Sequence, residues 1–245
     1  MMSGIALPSL LAAATLLWLM VVIGFCVISI VATRRLAQRT RDAARTSVVL
    51  PPIDILRPCE GTDPGLEENL LSTVTCAYPA ARRVFIAVPS RRDPSAAIAD
   101  RVKARAAALA PDVPVEVVVT GIESQGNRKA AQLAKVYPAT TATVLVQADS
   151  DVRLDDRSLP ALVTALLADD QAGLSYAPAV EVMPQTLGDR LSAALLSSSP
   201  MALVSIAALR EMAGGPQLVA GALMAHRREA LDAIGGFAAL EPYLG

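Results

Sequence analysis

Two different hydrophobic patterns divide the chain into a short N-terminal part and a larger C-terminal part. Residues 5–33 contain no charged side chain, and residues 10–32 are almost wholly apolar. Roughly 20 apolar residues are enough for a helix to cross the hydrocarbon core of a bilayer, so this stretch predicts a transmembrane helix. A cleaved signal peptide is disfavoured, because the apolar run is too long and no basic residue precedes it.

The residues that follow this helix carry the charge that sets its orientation. Five arginines lie within residues 34–45, against the single acid Asp42. Because the cytoplasmic flanks of membrane helices are rich in Lys and Arg, the C-terminal side is predicted to face the cytoplasm. We therefore expect a single-pass membrane anchor over residues 1–33, a basic juxtamembrane linker over residues 34–51 and a cytoplasmic domain over residues 52–245.

In the larger part of the chain, short β-branched apolar runs alternate with longer stretches of helical composition. Strands that alternate with helices predict βαβ units around a mostly parallel sheet, which is an α/β fold. Thr62 or Asp63 is the expected N-terminal cap of the first helix of this part. The predicted strands are 53–56, 84–88, 115–119, 144–146 and 173–179, with a further strand or strand pair over 217–225. The predicted helices are 64–76, 96–109, 129–136, 159–167 and 228–234.

A second uncharged stretch, residues 191–209, admits two interpretations. Its length would allow another transmembrane helix. The sequence Ser-Ser-Ser-Pro at residues 197–200 interrupts it, which favours an interfacial or buried helix pair beside the membrane. We expect a membrane-associated segment here rather than a second span.

Composition narrows the class of protein further. The net charge is −1 and aromatic residues make up 3% of the chain, so a nucleic-acid partner is not expected. His226 is the only histidine, which excludes a metal site built from several histidines. Cys26, Cys59 and Cys76 form no C-x-x-C pair and are interpreted as small apolar residues in a reducing compartment.

The strongest candidate for chemistry lies where the fourth predicted strand ends. Asp149 and Asp151 follow that strand directly, with only Ser150 between them. Ligands of α/β sheets bind beyond the carboxyl ends of the strands, and hard cations such as Mg²⁺ prefer carboxylate oxygens. The pair therefore indicates either a metal–phosphate site or an ordinary solvated loop, and the spacing alone does not decide between them.

Several loops together resemble the ceramide-glucosyltransferase-like branch of the inverting GT-A glycosyltransferases, which includes bacterial enzymes of hopanoid lipid glycosylation. The resemblance extends from the N-terminal helix to the last residue and depends on the order and spacing of motifs at strand ends. The motifs are 55–64 (ILRPCEGTDP), 77–79 (AYP), 92–94 (RDP), 126–129 (GNRK) with Leu133, 149–153 (DSDVR), and 219–221 (VAG) through 235–237 (GGF).

The resemblance implies a GT-A sandwich that transfers a sugar from a nucleotide-sugar, expected to be UDP-linked, to a lipid hydroxyl. Asp93 matches the family's first acidic residue, in the nucleotide-binding part of the site. Asp149 matches the first acid of the D-x-D-like motif, which holds the donor diphosphate through a divalent ion, Mg²⁺ or Mn²⁺. Asp151 makes a two-carboxylate metal site plausible, and Lys129 matches a basic residue suited to opposing pyrophosphate charge.

Each assignment has a simpler competitor. Asp93 precedes a proline and could serve only as a helix cap. Lys129 is by default a solvated surface charge, and Arg57 and Glu60 could form an ion pair at the end of a strand. His226 follows an apolar run and is interpreted as structural rather than catalytic. A dinucleotide-binding enzyme is a further competitor, but no G-x-G-x-x-G follows the first strand.

One part of the family pattern is not found. Family members carry an acidic general base in an E-D-like motif after the Gly-Gly-Phe region, followed by a Q/R-x-x-R-W motif and more membrane helices. The domain over residues 52–245 is expected to be truncated before these motifs. Glu241 is not surrounded by the residues of the E-D-like motif and is not assigned the role of general base. Because a general base typically contributes about 10²–10⁴-fold, a weak or inactive nucleotide-sugar-binding or assembly protein is the alternative interpretation.

Overall fold

The computed structural model describes residues 6–45, 48–122, 126–177, 186–188, 190–191, 193–194, 210, 219 and 221–243. The chain forms two compact units. The first comprises residues 1–42 and 180–218, and the second comprises residues 43–179 and 219–245.

A long helix, α1 (Ala6–Arg45), accounts for most of the described residues of the first unit. Its segment Ser9–Val31 has a mean hydropathy of 2.7 and is long and apolar enough to cross a membrane. Most of its large apolar side chains, such as Trp18, are exposed, as in a helix that faces lipid. The helix continues through the arginines that the sequence placed in a linker. The predicted segment 191–209 falls almost wholly outside the described residues and stays a prediction.

The second unit is built on a six-stranded sheet with the strand order β3-β2-β1-β4-β6-β5. Strands β3, β2, β1 and β4 are parallel, whereas β6 runs antiparallel to β4 and to β5. The strands are β1 (Ile53–Pro58), β2 (Arg82–Val88), β3 (Val115–Val119), β4 (Val144–Ala148), β5 (Leu174–Ala177) and β6 (Leu223–Arg227). The predicted mostly parallel α/β sheet is confirmed.

Helices cover both faces of this sheet. They are α2 (Leu66–Thr75), α3 (Pro94–Leu109), α4 (Arg128–Val136), α5 (Ser158–Leu167) and α6 (Arg228–Ala233), and 3₁₀ turns follow at Tyr137–Ala139 and Phe237–Leu240. Successive residues of β1 point to opposite faces, so Ile55 packs with α2, α3 and α5 while Leu56 packs with α4. All six residues of β1 are buried, as expected for a central strand.

Two local predictions are wrong. Neither Thr62 nor Asp63 caps α2, because the chain enters that helix through Gly65 in the left-handed conformation (φ 72°). The carboxylate of Asp63 instead accepts a hydrogen bond from the hydroxyl of Ser150. The last predicted strand, 217–225, is wrong at residues 219, 221 and 222 and ends too early, because β6 spans Leu223–Arg227; residues 217, 218 and 220 lie outside the described residues.

Candidate active site

The D-x-D loop leaves β4 at the edge of the sheet where the carboxyl ends of β1 and β4 lie side by side. The Asp149 N–H donates to the Ala222 carbonyl (2.9 Å), which ties the loop to the entrance of β6. A turn follows, in which the Val152 N–H donates to the Asp149 carbonyl (3.1 Å). The backbone of the motif is therefore anchored on both sides of Ser150.

A buried arginine supports this loop from the interior. Arg57, at the end of β1, is 0% exposed, and its Nη2 donates to the carbonyls of Val152 (2.9 Å) and Ser150 (3.4 Å). Asn69 Nδ2 donates to the same Ser150 carbonyl (3.3 Å). Burial lowers the pKa of Arg57 to about 10, and nearby negative charge, including Asp149, opposes that shift. The guanidinium is therefore charged at neutral pH.

The suggested ion pair between Arg57 and Glu60 is wrong. Glu60 pairs with Arg128, whose Nη2 lies 2.7 Å from Oε1 and whose Nε donates to Oε2 (2.8 Å). Arg57 turns inward because the loop carbonyls need a donor there. Two of its nitrogen atoms, Nε and Nη1, have no hydrogen-bond partner among the described residues, which is costly for a buried cation.

Lys129 reaches the same loop from α4. The side chain of Asn127 caps this helix by accepting from the Ala130 N–H (3.0 Å), which places Lys129 in its first turn. The Lys129 ammonium forms an ion pair with Asp149 and donates to the Gly221 carbonyl (3.0 Å). Burial raises the pKa of Asp149, and the ammonium of Lys129 opposes this shift. Lys129 is thus engaged in the site and is not merely a solvated charge.

A cavity of about 340 Å³ opens above these groups. Lys129, Asp149 and Asp151 all line it, so three of the four predicted site residues share one cavity. Asp151 is exposed and, within the described part of the chain, makes no hydrogen bond or ion pair. The full lining is Pro58, Cys59, Glu60, Asp63, Lys129, Gln132, Asp149, Ser150 and Asp151.

Asp93, the fourth predicted residue, does not line this cavity. Its Oδ1 accepts hydrogen bonds from the N–H (2.9 Å) and hydroxyl (2.6 Å) of Ser95 and from the Gly61 N–H (2.9 Å). Burial acts against the ionised carboxylate, but the hydrogen bonds outweigh it and lower the pKa of Asp93. The interpretation of Asp93 as a helix cap is confirmed, since it caps α3. Its contact with a nucleotide stays a prediction.

Gln132 is a cavity residue that the sequence analysis missed. Its side chain is buried, and its Oε1 has no hydrogen-bond partner among the described residues. A signal was available, because Gln132 lies three residues after Lys129 and therefore on the same face of α4. An unpaired buried carbonyl that lines a cavity is suited to accepting a hydrogen bond from a ligand.

His226 is buried and does not line the cavity. Burial, with a smaller effect from Lys129, lowers the pKa of His226 to about 4, so the imidazole is neutral at pH 7. Its ring packs edge-to-face against Phe237, with 5.6 Å between the ring centroids. This packing agrees with its interpretation as a structural residue.

The two carboxylates of the motif fit a divalent cation. The ammonium of Lys129 already pairs with Asp149, which shows that this carboxylate is placed to bind a cation. No group of three Asp, Glu, His or Cys side chains suited to a metal occurs among the described residues. Asp149 and Asp151 are the residues that would hold a Mg²⁺ or Mn²⁺ ion here, since such ions are commonly bound by one or two carboxylates together with substrate phosphates.

The model of glycosyl transferase family 21 matches residues 16–245, and the chain belongs to that family. No curated protein matches the chain significantly.

The solved structures that are similar to this chain include the following two. A mannosyltransferase from Pyrobaculum calidifontis, in complex with GDP-Man and Mn²⁺, is 19% identical in sequence and superposes with a TM-score of 0.52. The match covers 87% of this chain and 57% of the mannosyltransferase chain. Glucosyl-3-phosphoglycerate synthase from Mycobacterium tuberculosis, in complex with phosphoglyceric acid, is 17% identical with a TM-score of 0.46, covering 76% and 63%. The first similarity confirms the GT-A fold. The chain spans less than two thirds of the length of either protein.

Proposed function

We propose that this chain is a membrane-anchored glycosyltransferase that moves a sugar from a nucleotide-sugar, expected to be UDP-linked, to a lipid hydroxyl. The observation that carries the proposal is that Asp149, Asp151 and Lys129 line one cavity at the carboxyl edge of a parallel sheet. Ligands of such sheets bind at this edge, and two carboxylates with an ammonium suit a metal–diphosphate group. Membership of glycosyl transferase family 21 supports the same reaction.

In this proposal each residue has a defined task. Asp149 and Asp151 hold Mg²⁺ or Mn²⁺, which would neutralise the leaving diphosphate. Lys129 adds a second positive charge towards the phosphates. Arg57 keeps the loop that carries both carboxylates in one conformation. Asp93 is assigned to the nucleotide end of the site, and inversion at the anomeric carbon would follow from a single in-line displacement by the acceptor hydroxyl.

The lipid acceptor and the membrane location are supported by α1. Its segment Ser9–Val31 has the length and hydropathy of a membrane span, and arginines follow it. We place the catalytic domain on the cytoplasmic side, where nucleotide-sugars are available. A ceramide- or hopanoid-like acceptor is the expected class, from the family resemblance.

One observation favours a second candidate, a nucleotide-sugar-binding protein with little transfer activity. Most carboxylates that line the cavity are already engaged: Asp149 with Lys129, Glu60 with Arg128, and Asp63 with Ser150. Among the lining residues, Asp151 is left, and the proposal assigns it to the metal. No carboxylate of the described cavity is then available as general base for the acceptor hydroxyl.

A binding assay paired with a transfer assay distinguishes the two candidates. The full chain in detergent micelles is titrated with UDP, UDP-glucose and GDP-mannose with Mn²⁺, and transfer of radiolabelled sugar to ceramide and to a hopanol is measured. The enzyme proposal predicts binding and transfer, with inversion seen by NMR of the product. Binding without transfer to any lipid supports the second candidate, and the absence of binding contradicts both.

The matched variants for this assay are Asp149→Asn and Asp170→Asn. Removing the Asp149 carboxylate is expected to lower Mn²⁺-dependent donor binding by more than about 100-fold, because outer-shell changes at metal sites already cost 10–100-fold. Asp170 is almost fully exposed, with a 98% exposed side chain, and lies outside the cavity. Its variant is expected to bind and react like the wild type.

A further inference from the structure

Lys129 holds two acceptors of the candidate site at once. Its ammonium pairs with the Asp149 carboxylate and donates to the Gly221 carbonyl (3.0 Å). We propose that Lys129 is an exchangeable internal cation, which occupies Asp149 in the metal-free protein and moves to the donor diphosphate when a divalent ion binds Asp149. This inference rests on the proposed function and concerns how the same site is loaded.

The ion pair and the divalent ion compete for the same group. Lys129 contacts the Asp149 carboxylate directly, and a metal bound there would bring two positive charges close to the ammonium. Like charges at such short distances repel strongly where the surroundings are partly desolvated. The metal and Lys129 therefore cannot both stay on Asp149 at low cost.

The second cation of the site cannot move aside instead. Arg57 is 0% exposed and is held by the carbonyls of Val152 and Ser150. The Lys129 side chain, by contrast, is 36% exposed, and its ammonium group is attached through a flexible four-carbon stem. Of the two cations closest to the motif, Lys129 is the one free to swing into the cavity.

The diphosphate supplies a new partner for the displaced ammonium. Without ligands, the charge of Asp149 is paired with Lys129, the buried Arg57 guanidinium adds a second positive charge against the same loop, and Asp151 is exposed. A divalent ion alone leaves two positive charges uncompensated, and a diphosphate alone leaves negative charge uncompensated. Together they restore the balance, so metal and donor are expected to bind with positive coupling, each raising the affinity of the other equally.

The test measures metal binding without any turnover. The full chain in detergent micelles is titrated with Mn²⁺ at fixed pH and ionic strength, and free Mn²⁺ is followed by its EPR signal, with and without UDP. The variants are Lys129→Met and Lys129→Gln, which keep the stem and remove the charge. Lys135→Met is the control, because Lys135 is exposed in the last turn of the same helix and does not line the cavity.

Removal of the competing ammonium is expected to strengthen Mn²⁺ binding in the absence of UDP by about tenfold. The same variants are expected to bind UDP in the presence of Mn²⁺ about tenfold more weakly, since the displaced cation no longer meets the diphosphate. In the wild type, UDP is expected to enhance Mn²⁺ affinity by a factor within the range of about 5–150-fold usual for coupled sites. In the Lys129 variants this factor should fall well below the wild-type value. Lys135→Met should match the wild type in all three quantities.

The outcomes separate this inference from the proposed function. Unchanged or weaker Mn²⁺ binding by both folded Lys129 variants, with normal binding by the wild type, overturns the exchange and leaves the glycosyltransferase proposal intact. A wild-type chain that binds neither Mn²⁺ nor UDP overturns both. Thermal unfolding of each variant shows whether it is folded, and the second variant serves if the first is not.

Discussion

At the scale of single residues, Arg57 is the side chain on which the shape of the D-x-D loop depends. Replacing it with Met leaves the carbonyl of Val152 without its donor, which costs about 1–3 kcal/mol when the group is buried. We predict that Arg57→Met weakens the binding of UDP in the presence of Mn²⁺ by at least about tenfold. Arg57→Lys should restore part of this affinity, because lysine returns the positive charge but not the planar set of guanidinium donors.

Isothermal titration of UDP with Mn²⁺ present measures this effect, and urea unfolding measures the accompanying loss of stability. Arg82→Met is the matched control, because Arg82 Nη2 also donates to a main-chain carbonyl, that of Val74 (2.7 Å), but far from the D-x-D loop. If Arg57→Met and Arg82→Met affect stability alike and neither changes UDP affinity, Arg57 is only structural.

Asp54 is a buried carboxylate at the start of β1 whose ionisation contributes to stability. It accepts two hydrogen bonds from Arg83 (2.8 Å each) and two from the N–H groups of Thr141 (2.7 Å) and Ala142 (2.9 Å). Burial acts to raise the pKa of Asp54, but these bonds dominate and lower it. The native state therefore binds fewer protons than the unfolded state near the unfolded pKa of about 3.9, so this contribution is present above that pH and is lost below it.

We therefore predict that the free energy of unfolding falls between pH 5 and pH 3 in the wild type, and falls less steeply in Asp54→Asn. Urea unfolding across that range is the measurement. Asp100→Asn serves as the control, because its ion pair with Arg91 is exposed on both sides. Equal slopes in the wild type and in Asp54→Asn would contradict the assignment.

At the scale of elements, α4 carries Lys129 and Gln132 to the cavity, and its N-terminal cap fixes where it begins. Asn127→Ala removes the acceptor for the Ala130 N–H and is expected to cost about 1 kcal/mol of stability. Because Lys129 is two residues away, donor affinity should fall as well. Asn127→Asp keeps a capping oxygen and should restore the stability, as measured by urea unfolding; no difference between the two variants would show that the cap contributes little.

The strands of the sheet could be predicted from the sequence because their apolar runs are bounded by turn residues. β3 was predicted with its observed ends, and β4 with its start at Val144. The conformations of the loops were harder to predict, since they depend on hydrogen bonds between segments that are distant in sequence. Asp63 is of a residue type that often caps helices, but its carboxylate instead accepts a hydrogen bond from the hydroxyl of Ser150, 87 residues away in sequence.

The residues that line the candidate cavity were predictable only in part. Asp149 and Asp151 stand out in the sequence because they directly follow a strand, whereas Lys129 was assigned through the family resemblance. The pairing of Lys129 with Asp149, the inward turn of Arg57 and the unpaired oxygen of Gln132 could not, because they arise from packing across the sheet. Sequence periodicity contains no information on such contacts.

At the scale of the whole molecule, the proposed function predicts that the sheet domain lies on the cytoplasmic side of a membrane. The arginines that follow Ser9–Val31 predict the cytoplasmic side, because translocating them is unfavourable. The cysteines make a labelling test possible. Burial raises the pKa of Cys59 to about 12 and also raises the pKa of Cys76, so both thiols are poorly reactive.

With Cys26→Ser as background, Arg91→Cys places one exposed thiol on the sheet domain at the cost of a surface ion pair. We predict that a membrane-impermeant maleimide labels this thiol in inside-out vesicles of the expression host and not in sealed right-side-out vesicles. Right-side-out vesicles opened with detergent are the control and should label fully. Labelling of sealed right-side-out vesicles alone would place the domain outside, away from the cytoplasmic nucleotide-sugar pool, and would contradict the proposed reaction as well as the predicted topology.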